Sequence, residues 1–186
     1  DYWGLDIPAN VGTNNFDEIR IDYYRDETVL REALKSGDID YREENQAKAW
    51  ALDYDTPAVD QGTLKKVNLR HYNPTGMQAF VYNTRRPIFQ DVRVREALAH
   101  AFDFEWTNKN LFFGQYARTK SFFSNSDLAS TGLPEGLELK ILEKYRDQVP
   151  SEVFTDSYQP PETDGMGWPR EGLLKAQKLL SQAGWS

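Results

Sequence analysis

The chain contains no cysteine, which excludes disulfide staples, thiolate metal sites and cysteine nucleophiles. It has no apolar run approaching the ~20 residues that a membrane-crossing helix requires, so a membrane span is not expected. Basic residues are outnumbered, 22 Lys and Arg against 29 Asp and Glu, for a net charge of -7. With no basic stripe to neutralise phosphates, nucleic acid is not the expected partner. Histidine is scarce: His71 and His100 are the whole complement, and neither has a nucleophile and an acid near it in sequence. Nucleophile elbow, P-loop and GxGxxG are all missing, so neither catalysis nor a cofactor is expected.

What the 186 residues do contain is alternation of strand-like and helix-like stretches, without internal repeats. Residues 16–24 place Phe16, Ile19, Ile21 and Tyr23 in near-alternation, and Asp26 then stands where an N-cap would open a helix over 27–35, closed by Gly37. Residues 39–43 are short and β-competent, and residues 46–52 read as a second helix. Strand, helix and strand in close succession predict a βαβ unit with parallel strands. Residues 64–72 predict another strand, and Asn73-Pro74-Thr75-Gly76 a turn.

The densest signal follows. In residues 77–83 Gln78, Phe80 and Tyr82 fall on one face of a pleated strand, Met77, Ala79 and Val81 on the other. Pro87 turns the chain, Asp91 is placed to cap a helix, and Val94, Leu98, Ala101 and Phe102 recur at helical spacing. Asp103 predicts the cap of the next helix, which stops at Gly114. Residues 116–132 read as an extended surface run, 137–145 as a helix, 159–165 as irregular, and 170–183 as a last helix ended by Gly184.

The run Tyr82-Asn83-Thr84, then Pro87-Ile88-Phe89-Gln90-Asp91-Val92-Arg93-Val94-Arg95-Glu96-Ala97-Leu98-Ala99-His100-Ala101-Phe102-Asp103, resembles the signature of the oligopeptide- and dipeptide-binding family of extracellular solute-binding proteins that feed ABC importers. Asp1-Tyr2-Trp3-Gly4, Phe16-Asp17-Glu18-Ile19, Leu34 to Asp40 and Ala176 to Trp185 resemble further family elements in order. Family members are far longer, so the chain reads as a fragment. The resemblance implies an α/β, periplasmic-binding-protein-like (type II) fold of two lobes, with residues 1–74 closing lobe I and 75–186 beginning lobe II. It also implies a periplasmic module that captures peptides and presents them to an ABC transporter permease. The aromatic-rich version seen here most resembles the branch that takes oligopeptides and microcin C-type antibiotics.

Candidate site residues follow from position. Asp38, Asp40, Glu43 and Glu44 form an acidic cluster, but no histidine joins them at ligand spacing, and a turn with solvent exposure explains the first two better than a metal does. Glu43, Glu44 and Asn45 lie at the exit of the second predicted strand, where ligands gather in open α/β sheets, so they are candidates for a peptide's amino terminus or basic side chain. Equally, Asn45 could cap the following helix with the glutamates in its first turn. Gln78, Phe80 and Tyr82 offer the mixed polar and aromatic face that suits a peptide, though a helix-covered sheet surface would look the same. The competing class is a carbohydrate-active or peptide-hydrolysing enzyme that uses the acidic residues. Turnover of the ligand separates the two.

Overall fold

The computed structural model describes residues 3–185. Its regular elements are helical. They are α1 (Glu27–Ser36), α2 (Ala47–Leu52), α3 (Pro57–Asp60), α4 (Pro87–Gln90), α5 (Val92–Ala101), α6 (Phe104–Leu111), α7 (Gly136–Leu142) and α8 (Arg170–Gln182), with single 3-10 turns at Trp3–Asp6, Glu143–Tyr145 and Ser151–Phe154. Asp1 and Tyr2, which open the first family-like element, lie outside the described residues.

Local chemistry sets the helix ends. The Asp26 carboxylate accepts the Thr28 and Val29 amides at 2.8 and 3.1 Å, satisfying donors that the first turn of α1 leaves free. At the other end the chain needs a left-handed residue, and Gly37 supplies it with φ 84°. Asp91 opens α5 through the Arg93 amide, 2.8 Å away, and Asp103 opens α6 through the Trp106 amide at 2.9 Å. Gly184 follows α8 with φ 87°.

The predicted strands do not form. Among the described residues there is no strand and no bridge, and the stretches 16–24, 39–43, 64–72 and 77–83 are irregular. The α/β expectation and the βαβ unit are therefore not realised here. The physical reason is that a helix satisfies its own amides and carbonyls, whereas a strand exists only beside a neighbour. These segments also keep their apolar groups in solvent: Tyr23 is 92% exposed, Leu69 72% and Val81 91%.

Two helical regions carry the packing. In the first, α1 buries Ala33 and Leu34, and α2 buries Ala49, with Tyr54 just beyond it. In the second, α5 lies along α8, and Val94, Ala97 and Ala176 are buried. The helices meet closely at Gly172, where a Cβ would stand 2.3 Å from the His100 carbonyl oxygen. The turn at Asn73 is not loose. The Asn125 amide donates to the His71 and Asn73 carbonyls at 2.9 and 3.0 Å, and the Thr75 amide donates to the Ser124 carbonyl at 2.9 Å. Even so, the chain exposes 15614 Å², against roughly 9,000 Å² for a compact monomer of its mass. Much of its apolar surface is thus not covered by the chain itself.

Candidate functional site

Of the candidate residues, Glu44 has the most structured surroundings. It sits between Arg42 and Gln46 just before α2, and its side chain is only 3% exposed. One oxygen, Oε1, accepts the Gln46 amide at 2.9 Å, so Glu44 rather than Asn45 reaches the entrance of α2. The other, Oε2, accepts the Tyr54 hydroxyl at 2.9 Å and Arg42 Nε at 3.3 Å, with Arg31 Nη1 3.7 Å away. Arg42 also reaches Glu27 on α1 at 2.5 Å, and Arg31 Nε reaches Asp53 at 3.1 Å. Residues 42–44 and 53–54 are tied to α1 by this knot.

Burial alone would raise the Glu44 carboxyl, but the Gln46 amide, the Tyr54 hydroxyl and Arg42 outweigh it and hold the group below its ordinary value, hence ionised at neutral pH. The Arg42 guanidinium is correspondingly held well above its usual range by Glu27 and Glu44, despite burial. Burial and the Glu44 charge push the Tyr54 phenol up. A buried charge needs such compensation. Glu44 is therefore saturated by its own chain.

Glu43 and Asn45, on either side, are exposed. On the second candidate segment Gln78 is exposed and Phe80 is 80% exposed. The Phe80 ring meets Phe102 edge-on at 6.4 Å, and Tyr82, half-buried, lies 5.1 Å from Phe89. Among the described residues no hydrogen bond, ion pair or ring contact joins 43–45 to 78–82. The structure thus leaves two separate sets of accessible groups, one anionic and amide, the other aromatic and amide.

The sequence profile described as "Bacterial extracellular solute-binding proteins, family 5 Middle" matches residues 1–186. The chain belongs to family 5 of these solute-binding proteins. Among curated relatives, the Agrobacterium fabrum protein named "Probable peptide-binding protein YejA" is 47% identical over 187 residues, covering all of this chain and 30% of the relative. YejA of Escherichia coli K12 is 45% identical over 185 residues, covering 100% of this chain and 31% of that protein. A second Agrobacterium fabrum protein, "Peptidoglycan-binding protein YepA", is 41% identical over 194 residues, with 100% and 32% covered. The chain spans about a third of the length of these relatives.

Family 5 membership implies the type II periplasmic-binding fold. It also gives the bare segments a context: a solute-binding chain of this family has far more sequence than the portion matched here.

A second polar centre escaped the sequence reading. Asp103, 8% exposed, does more than cap α6. Its Oδ1 accepts the Thr163 hydroxyl at 2.5 Å, and its Oδ2 accepts the Gly167 amide at 2.9 Å. The Thr163 hydroxyl also lies 2.8 Å from Glu105 Oε2, which accepts the Thr163 amide at 3.1 Å. Burial works against the Asp103 charge, but the Thr163 hydroxyl and the Trp106 and Gly167 amides hold its carboxyl below the ordinary value. Sixty residues separate Asp103 from Thr163, and Thr163 itself lies in a run with no periodicity. The cap was readable; its second use was not.

Proposed function

We propose that the complete protein is the substrate-binding component of an ABC importer, which captures peptides or peptide-like solutes in the periplasm and delivers them to a membrane permease. The observation that carries this reading is the family match across all 186 residues together with a 47% identical relative named for peptide binding. In the finer reading the ligands are oligopeptides and microcin C-type peptides. Residues 1–74 then complete one lobe and 75–186 begin the other, and the uncovered surface of segments 16–24, 64–72 and 77–83 is closed by the rest of the protein. Ligand binding drives closure of the two lobes to the extent that the closed state makes contacts the open one lacks.

Within that scheme Glu43 and Asn45 are available to a peptide's amino terminus, while Glu44 is committed to Arg42, Arg31 and Tyr54. Gln78, Phe80 and Tyr82 supply apolar walls and an amide for the peptide's own backbone. The name of YepA favours a second reading within the same class, peptides released from peptidoglycan. Titration calorimetry of the complete protein against a panel of oligopeptides and murein stem peptides tests both, with mass spectrometry of the recovered ligand. Binding with unchanged ligand is expected. Cleavage of the ligand would mean an enzyme, and no heat from any member of the panel would overturn peptide capture.

Glu43 isolates the electrostatic part. Glu43→Gln leaves the buried knot intact and is expected to weaken a peptide with a free amino terminus about tenfold, one charged hydrogen bond's worth. An N-acetylated peptide should not notice the change. Equal affinity of both proteins for the free peptide would remove Glu43 from the site.

A further inference from the structure

We infer that residues 159–168 form a strap that is clasped over the start of α6 by Thr163 and opens as a unit of its own, ahead of the helices it lies on. The strap is tied to other chain at its leading end. Arg118 donates to the Pro161 carbonyl at 3.0 Å, and Lys120 reaches the Gln159 side chain at 2.5 Å. Its centre is Thr163, whose hydroxyl stands between the Asp103 and Glu105 carboxylates at 2.5 and 2.8 Å. Beyond it Gly167 lies flat on the Trp106 indole, so close that a Cβ would come within 2.9 Å of the ring.

What holds the strap is polar. Pro160 is its buried residue, whereas Met166 and Trp168 are 77% and 71% exposed. A segment with so little apolar burial lies at the low end of the stability range within a protein and opens before the packed helices. A hydroxyl carries a single proton, so Thr163 donates to one carboxylate at a time. The helix pair α5 and α8 shares none of these bonds: it is held by Val94, Ala97, Ala176 and the Gly172 approach.

Opening has a local consequence. Glu105 also lines a shallow groove with Phe104, Asn108, Lys109 and Phe113. With the strap closed, its carboxylate is engaged by Thr163. With the strap open, that carboxylate is released, Asp103 keeps only the Trp106 amide it caps, and the face of Trp106 is uncovered. The strap therefore controls the negative charge presented beside an aromatic surface, independently of which solute the protein carries.

Amide hydrogen exchange of the complete protein, without ligand, tests this. Thr163→Val removes the hydroxyl at nearly constant volume. It should speed exchange of the amides of Thr163, Gly165 and Gly167 about tenfold or more, the loss of one charge-assisted hydrogen bond, while α5 and α8 stay as protected as before. Thr163→Ser keeps the hydroxyl and should restore slow exchange. No acceleration in the valine variant would overturn the clasp. Acceleration spread equally over α5 and α8 would overturn the independent unit, and serine failing to restore protection would overturn the hydroxyl as the clasp sufficient to hold the strap.

Discussion

Two regions of this chain are each organised around one buried carboxylate, and they neutralise it in opposite ways. Around Glu44 the partners include two charges, Arg42 and Arg31, beside the neutral Tyr54 phenol and the Gln46 amide, with Glu27 and Asp53 balancing the guanidinium groups. Around Asp103 the partners are dipoles: two backbone amides and the Thr163 hydroxyl. An ion cluster of the first kind leaves several uncompensated charges when one member is removed, whereas dipoles set free by losing a carboxylate turn to water at modest cost. The first arrangement should therefore be all-or-none and the second graded.

The largest expected effect tests that asymmetry. Glu44→Gln should destabilise residues 26–54 by about 3 kcal/mol, because Arg31 and Arg42 lose the anion they share and keep only Asp53 and Glu27. The check is the loss of exchange protection in α1 and α2 of the complete protein, and protection retained there would place Glu44 among residues that merely decorate the loop. Asp103→Asn keeps the shape and should cost less, about 1–3 kcal/mol, seen as a lowered denaturant midpoint. If the two substitutions cost the same, the distinction between ionic and dipolar neutralisation has no energetic content.

Acid separates the regions further. Glu44 and Asp103 both have folded values below their ordinary 4.5 and 3.8. Each therefore contributes stability that is complete above those values and is lost as pH falls through the lowered one. His100 behaves differently. It lies between α5 and α8, where burial and the charges of Lys175 and Arg118 lower its value from 6.5 against the opposing pull of Glu96. A base lowered in the fold binds its proton more readily when unfolded, so stability falls as pH drops below 6.5. Between pH 6.5 and 5, the protection factors of α5 and α8 should fall while those of α1 and α2 stay unchanged. His100→Gln should abolish that difference, and identical pH profiles in both regions would contradict it.

The smallest expected effect concerns a third carboxylate, at the surface and half-buried. The Arg93 side chain and amide hold Asp91 down to about 2. Asp91→Ala should lower the midpoint by less than either buried substitution and fray only the first turn of α5, seen in the exchange of its leading amides. A shift as large as that of Asp103→Asn would show that burial is not what separates the two caps.

Legibility in the sequence followed the range of the interactions. Asp26, Asp91, Asp103, Gly37 and Gly184 were readable because a cap acts within a few residues of itself. Glu44 was flagged as functional, but its burial depends on Arg31 on α1 and on Tyr54 beyond α2, and no short pattern reports that meeting. Thr163 was invisible, since it sits in an irregular run and its partners Asp103 and Glu105 lie 60 and 58 residues away. The strand readings failed for a complementary reason. Alternation in 16–24 or 77–83 states which faces a strand would have, and says nothing about whether a neighbour is present to pair with it.

Those unpaired stretches bear on how the protein is made. In the proposed two-lobed arrangement, residues 16–24, 64–72 and 77–83 wait for partners supplied by distant chain, so the native topology has high contact order and forms slowly. The helices, closed by their own caps, can form in microseconds or less. During that interval Phe16, Ile21, Leu69 and Val81 are bare, β-competent and open to any passing edge, the condition under which nascent chains aggregate. A chaperone that shields these segments before the lobes are complete would serve this protein more than one that stabilises its helices.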